Sequence, residues 1–264
     1  MLDGDGIAHH TLLDGLRLNI NPLPGLEIGV ARMDEVCGRG HPCNPVVSYF
    51  DLRNNDAHPS KTNDQGDIDI KYSHKLGAVD LSAYLELMNE DSNPFWHSGS
   101  SHLFGLTGWV PMGQTRVRIT AEFTDTIPTT NIFNFGNYEY GFAYNDYKYL
   151  GGMRNRDRSL GFSLDTDSKL LTLQASWLGA HNVTWTLSYH HADVNVLPPP
   201  GAEIYSSINF VSSAAVPISV GEARASFPLL GHFAVDVVAR YASDQPRPAH
   251  GSQGAGELRL NYSF

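Results

Sequence analysis

Apolar and polar residues alternate along most of this chain, which is the period of a β-strand with one apolar face and one wet face. The clearest segment is 116–124, where Val117, Ile119, Ala121 and Phe123 alternate with arginine, threonine and glutamate. Comparable alternation predicts about 11 strands. They lie near residues 16–20, 26–31, 68–72, 79–88, 102–110, 116–124, 171–177, 183–190, 218–227, 233–241 and 258–264. A strand is also expected near Ile204 to Val211.

The connections between these segments alternate in length. Tight turns are predicted near residues 21, 77, 111, 180 and 230, and long polar connections at 34–64, 89–101, 125–168, 194–202 and 243–255. Short turns at one end and long loops at the other are typical of an outer-membrane barrel, whereas a soluble β-sandwich has no reason to sort its loops this way. The strands, about 9–11 residues long, also suit a tilted bilayer crossing. We predict an all-β fold, an antiparallel transmembrane β-barrel forming one domain over residues 1–264.

The positions of the aromatic residues also favour an outer-membrane location. Trp177, Trp185, Tyr241 and Tyr262 fall at strand ends or on apolar faces, as an interfacial girdle requires. The last strand alternates up to a C-terminal Phe264, which resembles the signal that outer-membrane barrels present to their assembly machinery. The predicted partners are therefore the lipid of a Gram-negative outer membrane and the barrel-assembly machinery.

Composition excludes two other classes of protein. The chain has 18 Lys and Arg against 28 Asp and Glu, a formal net charge of −10, which argues against a nucleic-acid-binding protein. No apolar run approaches the roughly 18 residues that a membrane-spanning helix needs. A membrane protein with this sequence must cross with strands.

Four blocks of sequence carry a resemblance. They are residues 25–32 (GLEIGVAR), 37–43 (CGRGHPC), 143–145 (AYN) and, most specific, 158–170 (RSLGFSLDTDSKL). Together they resemble the capsule-assembly Wzi family of Gram-negative outer-membrane proteins, from about residue 14 to the C-terminus. The resemblance implies a barrel of roughly 18 strands, wide enough to leave a lumen. It also implies a surface lectin without enzymatic activity, which binds exported capsular polysaccharide and helps hold the capsule on the cell.

The start of the chain departs from the family pattern. Met1 to Leu13 lack the basic n-region and the apolar h-region of a signal peptide, and the family's N-terminal strands and helical plug have no counterpart before Leu12. Because an open sheet edge inside lipid is not viable, we expect a longer precursor with a signal peptide and about seven more strands upstream. The alternative is a smaller barrel closed from these strands alone.

The connection 125–168 holds the candidate polysaccharide-binding residues. Aromatic faces can lie against sugar rings, planar polar groups can bond hydroxyls, and cations can pair with acidic sugars. The candidates are Tyr138, Tyr140, Tyr144, Tyr147, Tyr149, Arg154, Arg156 and Arg158. The alternative is that this loop folds inward and packs on itself, with its arginines paired to Asp157, Asp165 and Asp167.

Structural roles are expected for the two cysteines and for the Asp165-Thr166-Asp167 run. Cys37 and Cys43 suit a disulfide formed in the periplasm, and the alternative is a metal site that recruits His41. The Asp165-Thr166-Asp167 run lacks the glycine and distal glutamate of an EF-hand, so a structural role is expected. No metal and no cofactor is predicted.

Two other functions are compatible with parts of this pattern. Ser188 and His190 share a strand face, but no third group or oxyanion donor is aligned with them, so we predict no enzyme. A porin-like outer-membrane channel is the stronger alternative. Its lumen charges would be Arg116, Arg118, Glu122, Asp67 and Asp69.

Overall fold

The computed structural model describes residues 11–38, 41, 43, 62–90, 100–113, 115–129, 138–146, 149–179, 183–202, 204–206, 209–229 and 233–262. Eleven strands form one antiparallel sheet in chain order. They are β1 (Leu12–Leu23), β2 (Leu26–Val36), β3 (Asn63–Leu76), β4 (Val79–Glu90), β5 (Ser100–Met112), β6 (Thr115–Thr129), β9 (Lys169–Leu178), β10 (Thr184–Val194), β11 (Val216–Pro228), β12 (Phe233–Ala242) and β13 (Gln253–Tyr262). Between β6 and β9, a small hairpin pairs β7 (Arg154–Asn155) with β8 (Arg158–Ser159). No helix with the length and apolar character needed to cross a bilayer occurs among the described residues.

The sheet confirms the predicted all-β antiparallel fold. Connections of two to five residues follow β1, β3, β5, β9 and β11, and the other connections are longer. Among the described residues, β1 and β13 form the two ends of an open sheet and do not pair with each other. The alternative of a small closed barrel is therefore not the arrangement observed.

Each strand presents two different faces because successive side chains point to opposite sides. One face, called the outer face, exposes large apolar residues; Leu106, Ile119, Leu173 and Leu258 are 54%, 51%, 45% and 74% exposed. The opposite face, called the inner face, carries polar side chains such as those of Thr107 and Thr120, whose hydroxyls lie 3.2 Å apart. Folding alone therefore leaves a continuous apolar surface uncovered.

Aromatic residues gather on the outer face near the short turns. Trp177 of β9 stacks on Trp185 of β10 at 6.4 Å, and Trp185 meets Phe227 of β11 edge-on at 5.7 Å. Phe233 of β12 packs on Tyr262 of β13 at 4.9 Å. These contacts form a band across five neighbouring strands. Such a band is the geometry of an interfacial girdle.

A second outer-face position lies at the other end of β12. Tyr241, 57% exposed, is next to the last residue of that strand. Phe233 and Tyr241 are about 26 Å apart along an extended strand. That spacing is comparable to the apolar band of outer-membrane barrels, about 25 Å tall.

Close backbone approach fixes the inner face of β4 to β6. Tyr84 of β4 lies over Gly105 of β5 and donates a hydrogen bond of 2.7 Å to Glu122 of β6. A Cβ atom at Gly105 would lie 1.9 Å from Tyr84 Cζ. Only glycine at position 105 leaves room for the Tyr84 side chain to pass over β5 and reach β6. Glycine usually weakens a strand, but here it allows a contact that links three strands.

The strand expected near Ile204 to Val211 is wrong. Ile204 makes a single isolated bridge to Tyr140, and the described remainder is irregular. The reason is local: Asn209 Oδ1 accepts the backbone N–H groups of Val211 and Ser212 at 2.9 and 3.0 Å. A side chain thus takes the donors that a neighbouring strand would need.

Candidate functional site

The long connection between β6 and β9 folds back over the inner face. Its described part, residues 138–146 and 149–168, is called the plug segment. Tyr144 packs with Met153 against Phe162 of the same segment and Met88 of β4. The backbone N–H of Tyr144 donates a hydrogen bond to the carboxylate of Glu90 at the end of β4. The plug segment is therefore anchored to the sheet at its long-loop end.

A buried ion pair lies at the centre of the plug segment. Arg154 Nη2 lies 2.7 Å from Asp165 Oδ1, and Arg154 Nε lies 3.1 Å from each carboxylate oxygen. The two side chains are only 2% and 1% exposed. Arg154 Nη1 also donates to the backbone carbonyls of Tyr144 and Gly151, at 3.0 and 3.1 Å. One guanidinium group thus ties together three stretches of the plug segment.

The turn at Asp165 to Asp167 holds the next connection in place. Both aspartates have positive φ, 66° and 51°, a backbone conformation that Asp adopts more readily than most residues. Asp165 Oδ2 accepts the Phe210 N–H at 2.9 Å, and Asp167 accepts the Gly141 N–H at 2.8 Å. Both carboxylates have structural partners, as predicted.

Asp167 makes the plug segment sensitive to pH. Burial raises its pKa to about 6, and nearby Asp165 and Asp125 add to the shift that the Gly141 hydrogen bond opposes. Because this pKa lies above the unfolded value, the contribution of Asp167 to stability is fully present below about pH 4 and is lost as the pH rises through about 6.

We expect the Gly141 amide to lose protection from hydrogen exchange, corrected for the intrinsic rate, by roughly tenfold between about pH 5 and pH 7. The Asp167→Asn variant removes the titrating group, so its protection should stay level over that range. A variant that keeps the wild-type pH dependence would assign it to another residue.

The disulfide after β2 contacts the plug segment. Cys37 and Cys43 are joined, as predicted, and His41 between them stacks on Tyr149 with ring centroids 4.2 Å apart. The Tyr149 hydroxyl donates to the Cys37 carbonyl at 3.1 Å, and burial raises the pKa of that hydroxyl. The link joins residues 112 positions apart in the chain. It fastens the plug segment to the loop after β2.

The predicted binding residues divide by exposure. Tyr140, Tyr144, Tyr149 and Arg154 are 7%, 3%, 1% and 2% exposed, so the packed-loop alternative describes them. Tyr138 is half-buried beneath Lys169, whose Nζ lies 5.2 Å from the ring centroid. Tyr147 lies outside the described residues.

Arg156 and Arg158 are the candidates that remain exposed. Arg156 and Asp157 form the turn of the β7–β8 hairpin, with positive φ at both residues (53° and 57°), which is typical of a type I′ turn. The hairpin therefore presents two guanidinium groups to solvent. The predicted pairing of arginine with aspartate holds for Arg154 and Asp165.

Three further aromatic residues lie in the plug segment and in the connection after β10. Tyr205, 51% exposed, meets Phe142 edge-on at 5.0 Å, and Phe210, 40% exposed, lies with its ring centroid 4.7 Å from the Arg154 guanidinium carbon. Sequence reasoning missed Tyr205 and Phe210 because they fell in the segment taken for a strand, and it missed Phe142 because only the tyrosines and arginines of the 125–168 connection were selected. The plug surface is defined as Arg156, Arg158, Phe142, Tyr205 and Phe210.

Ser188 and His190 of β10 have separate partners on the inner face. Ser188 Oγ accepts a hydrogen bond from Gln174 Nε2 at 3.1 Å. His190 Nδ1 lies 3.0 Å from Thr172 Oγ1. Each side chain thus joins β10 to β9, which is a role in sheet pairing.

Comparisons with known proteins agree with this architecture. The solved structure of Wzi, an outer membrane protein involved in group 1 capsule assembly in Escherichia coli and a carbohydrate-binding β-barrel, matches with a TM-score of 0.71 at 20% identity. The match covers 97% of this chain and 53% of that one, so the chain spans about half the length of E. coli Wzi. The open sheet thus has the fold of part of a β-barrel.

Lower similarity is found to two other structures. Acinetobacter baumannii OccAB4 has a TM-score of 0.48 at 12% identity, covering 95% of this chain and 52% of that one. Pseudomonas aeruginosa OccK3 has a TM-score of 0.44 at 12% identity, covering 96% and 70%. A comparison with curated protein sequences gives no match.

The family itself is established by sequence. The family model described as capsule assembly protein Wzi matches residues 1–248, which is most of the chain. The predicted resemblance is therefore confirmed. The chain belongs to the Wzi capsule-assembly family.

Proposed function

We propose that this chain is part of an outer-membrane surface lectin that binds exported capsular polysaccharide and helps attach the capsule to the cell. The observation that carries the proposal is the plug surface. The hairpin turn presents Arg156 and Arg158, and the rings of Phe142 and Tyr205 stand in the same group of loops. Guanidinium groups suit acidic sugars, and aromatic faces suit sugar rings. We propose that the protein acts by binding, without catalysis.

Tyr138 remains a proposed polysaccharide-binding residue. Its ring is half-buried, and Lys169 lies beside it as a further cation. Tyr140, Tyr144, Tyr149 and Arg154 are assigned to packing because they have almost no accessible surface. Their proposed contribution is to hold the plug surface in shape.

The outer face supports a membrane location. Its exposed apolar residues lie between an aromatic band at the short-turn end and Tyr241 at the other. A soluble monomer rarely exposes so large an apolar area. We propose that this face contacts the lipid of the Gram-negative outer membrane, and that the strand ending at Phe264, beyond the described residues, is read by the barrel-assembly machinery.

A channel is the second candidate function. The inner face carries charged pairs, such as Arg116 with Asp80 at 2.9 Å, that would suit an aqueous lumen. The plug segment, packed on Met88 and Glu90, argues for a closed lumen at the long-loop end. Conductance in planar bilayers separates the two, since a channel conducts steadily and a lectin closed by its plug does not.

The Arg156→Gln, Arg158→Gln double variant tests the lectin. We expect about tenfold weaker binding to an acidic capsular polysaccharide, because two exposed charge-assisted contacts are lost. Binding of the detergent-purified protein to immobilised polysaccharide measures the change.

Arg116→Gln provides the matched control. Arg116 is equally a surface arginine, with its side chain 55% exposed, but it lies at the short-turn end of β6. It should bind polysaccharide like the wild type. Equal affinity in the wild type and the double variant would remove the arginines from the binding surface.

A further inference from the structure

A cavity of about 370 Å³ lies beneath the plug segment, against the inner face of β1 to β6. Leu160 and Phe162 of the plug segment line one side, and Met33, Met88 and Leu103 of the strands line another. The volume lies within the range of small-molecule sites, roughly 300–1,000 Å³. No residue of the plug surface lines this cavity, so it is separate from the proposed polysaccharide surface.

Three lining residues carry an oxygen with no hydrogen-bond partner in the described part of the chain: Gln65 Oε1, Asp67 Oδ1 and Ser101 Oγ. Gln65 and Ser101 are 2% and 5% exposed, so these are deeply buried side chains. Gln65 uses its Nε2 to donate to Glu90, and its oxygen remains unpaired among the described residues. Leaving a buried acceptor unpaired costs free energy, and a ligand with hydrogen-bond donors would recover it.

The charges around the cavity narrow the chemistry of that ligand. The carboxylates of Asp67 and Glu86 line it with one guanidinium, that of Arg17, whose Nη1 lies 3.5 Å from Asp67 Oδ2. Amide and carboxylate oxygens accept hydrogen bonds only. The ligand must therefore supply donors to Gln65 and Asp67, and a ligand carboxylate would add to the acidic groups already gathered here.

We propose that this cavity binds one uncharged sugar residue, with its hydroxyls on Gln65, Asp67 and Ser101 and its C–H face on the methionine and leucine side chains. Apolar walls with a few convergent polar groups are the usual composition of such sites. The acceptor-rich cavity disfavours uronic acids, in contrast to the cationic plug surface. The two sites thus select sugars of different charge.

The experiment titrates the full chain in detergent with neutral hexoses and, as the matched acid, glucuronic acid, followed by calorimetry. A neutral hexose is expected to bind at least tenfold more tightly than glucuronic acid. Absence of any neutral-hexose binding, or equal binding of the acid, overturns the proposal. This titration uses free sugars, so its result does not depend on whether the plug surface binds polysaccharide.

Two variants locate the bound sugar. Ala31→Met fills the cavity from β2 and should weaken hexose binding at least tenfold, whereas Ala234→Met makes the same change on the inner face of β12, outside the cavity. Ser101→Ala removes one hydroxyl with little change of volume and should weaken binding about fivefold. Wild-type binding in both Ala31→Met and Ser101→Ala would refute the site, and Ser101→Ala keeps the test valid if Ala31→Met does not fold.

Competition identifies the source of the sugar. If the intact capsular polysaccharide displaces the hexose, the site takes a residue of that polymer. If it does not, the site takes a free sugar. The Arg156→Gln, Arg158→Gln variant should bind free hexose like the wild type, and a loss there would contradict the separation of the two sites.

Discussion

Replacing Arg154 with methionine is expected to open the plug segment while leaving the sheet intact. The substitution keeps much of the side-chain length but removes the charge, so Asp165, 1% exposed, is left as a buried carboxylate without its partner. Breaking a buried pair in this way costs about 3–5 kcal/mol. Local opening should therefore become at least about a hundredfold more frequent.

Hydrogen exchange at two amides within the plug segment measures this opening. The Met153 N–H donates to Tyr144 at 3.1 Å, and the Leu160 N–H donates to Met153 at 3.0 Å. Both should lose protection in Arg154→Met, while amides in β9 to β12 keep theirs. Planar-bilayer conductance should also rise from near silence to frequent openings, since the plug segment packs across the inner face.

Two controls make the result specific to the buried pair. Arg158→Met removes an exposed arginine from the same hairpin and should change stability by no more than about 0.5 kcal/mol. The double variant Arg154→Met, Asp165→Asn removes both charges and should recover part of the lost protection, because no unpaired charge remains while asparagine tolerates the positive φ and can still accept the Phe210 N–H. If Arg154→Met exchanged like Arg158→Met, the ion pair would not be what keeps the plug segment closed.

The strands were predictable because their pattern is local. Each strand of the sheet needs only its own alternation to define an outer and an inner face, and Val117, Ile119 and Phe123 of β6 show it without reference to any other segment. Several strands run further than the alternation indicated, as β6 does to Thr129. At the Thr129 end of β6, the plug segment covers the polar residues. Because these residues do not face lipid, they need not alternate between apolar and polar.

The plug segment was less predictable because its contacts are distant in sequence. Tyr149 meets Cys37 across 112 residues, and Tyr144 meets Glu90 across 54. A tyrosine that will be buried and one that will face a sugar have the same local sequence signal. The composition of the 125–168 connection therefore indicated candidate binding residues among its aromatic and arginine side chains. Only the fold showed that Arg154 is buried and Arg158 is exposed.

A charge on the outer face should prevent assembly of the sheet in a membrane, whereas the same charge one residue later should not. Leu173 of β9 is 45% exposed on the outer face, midway between Lys169 and Trp177. Arginine on the lipid face near the bilayer midplane costs about 2–4 kcal/mol. Gln174, the next residue, lies on the inner face, where its Nε2 donates to Ser188.

We therefore expect Leu173→Arg to reduce the fraction of folded protein in lipid vesicles strongly and Gln174→Arg to reduce it little, since the inner face already carries arginines. Heat-modifiable mobility on gels and unfolding by urea in vesicles give the two fractions. The two variants introduce the same residue at neighbouring positions of one strand, so the main difference between them is the face on which the arginine lies. Equal stability of the two variants, or a folded Leu173→Arg protein that stays in solution without detergent, would mean that another protein layer covers the outer face in place of lipid.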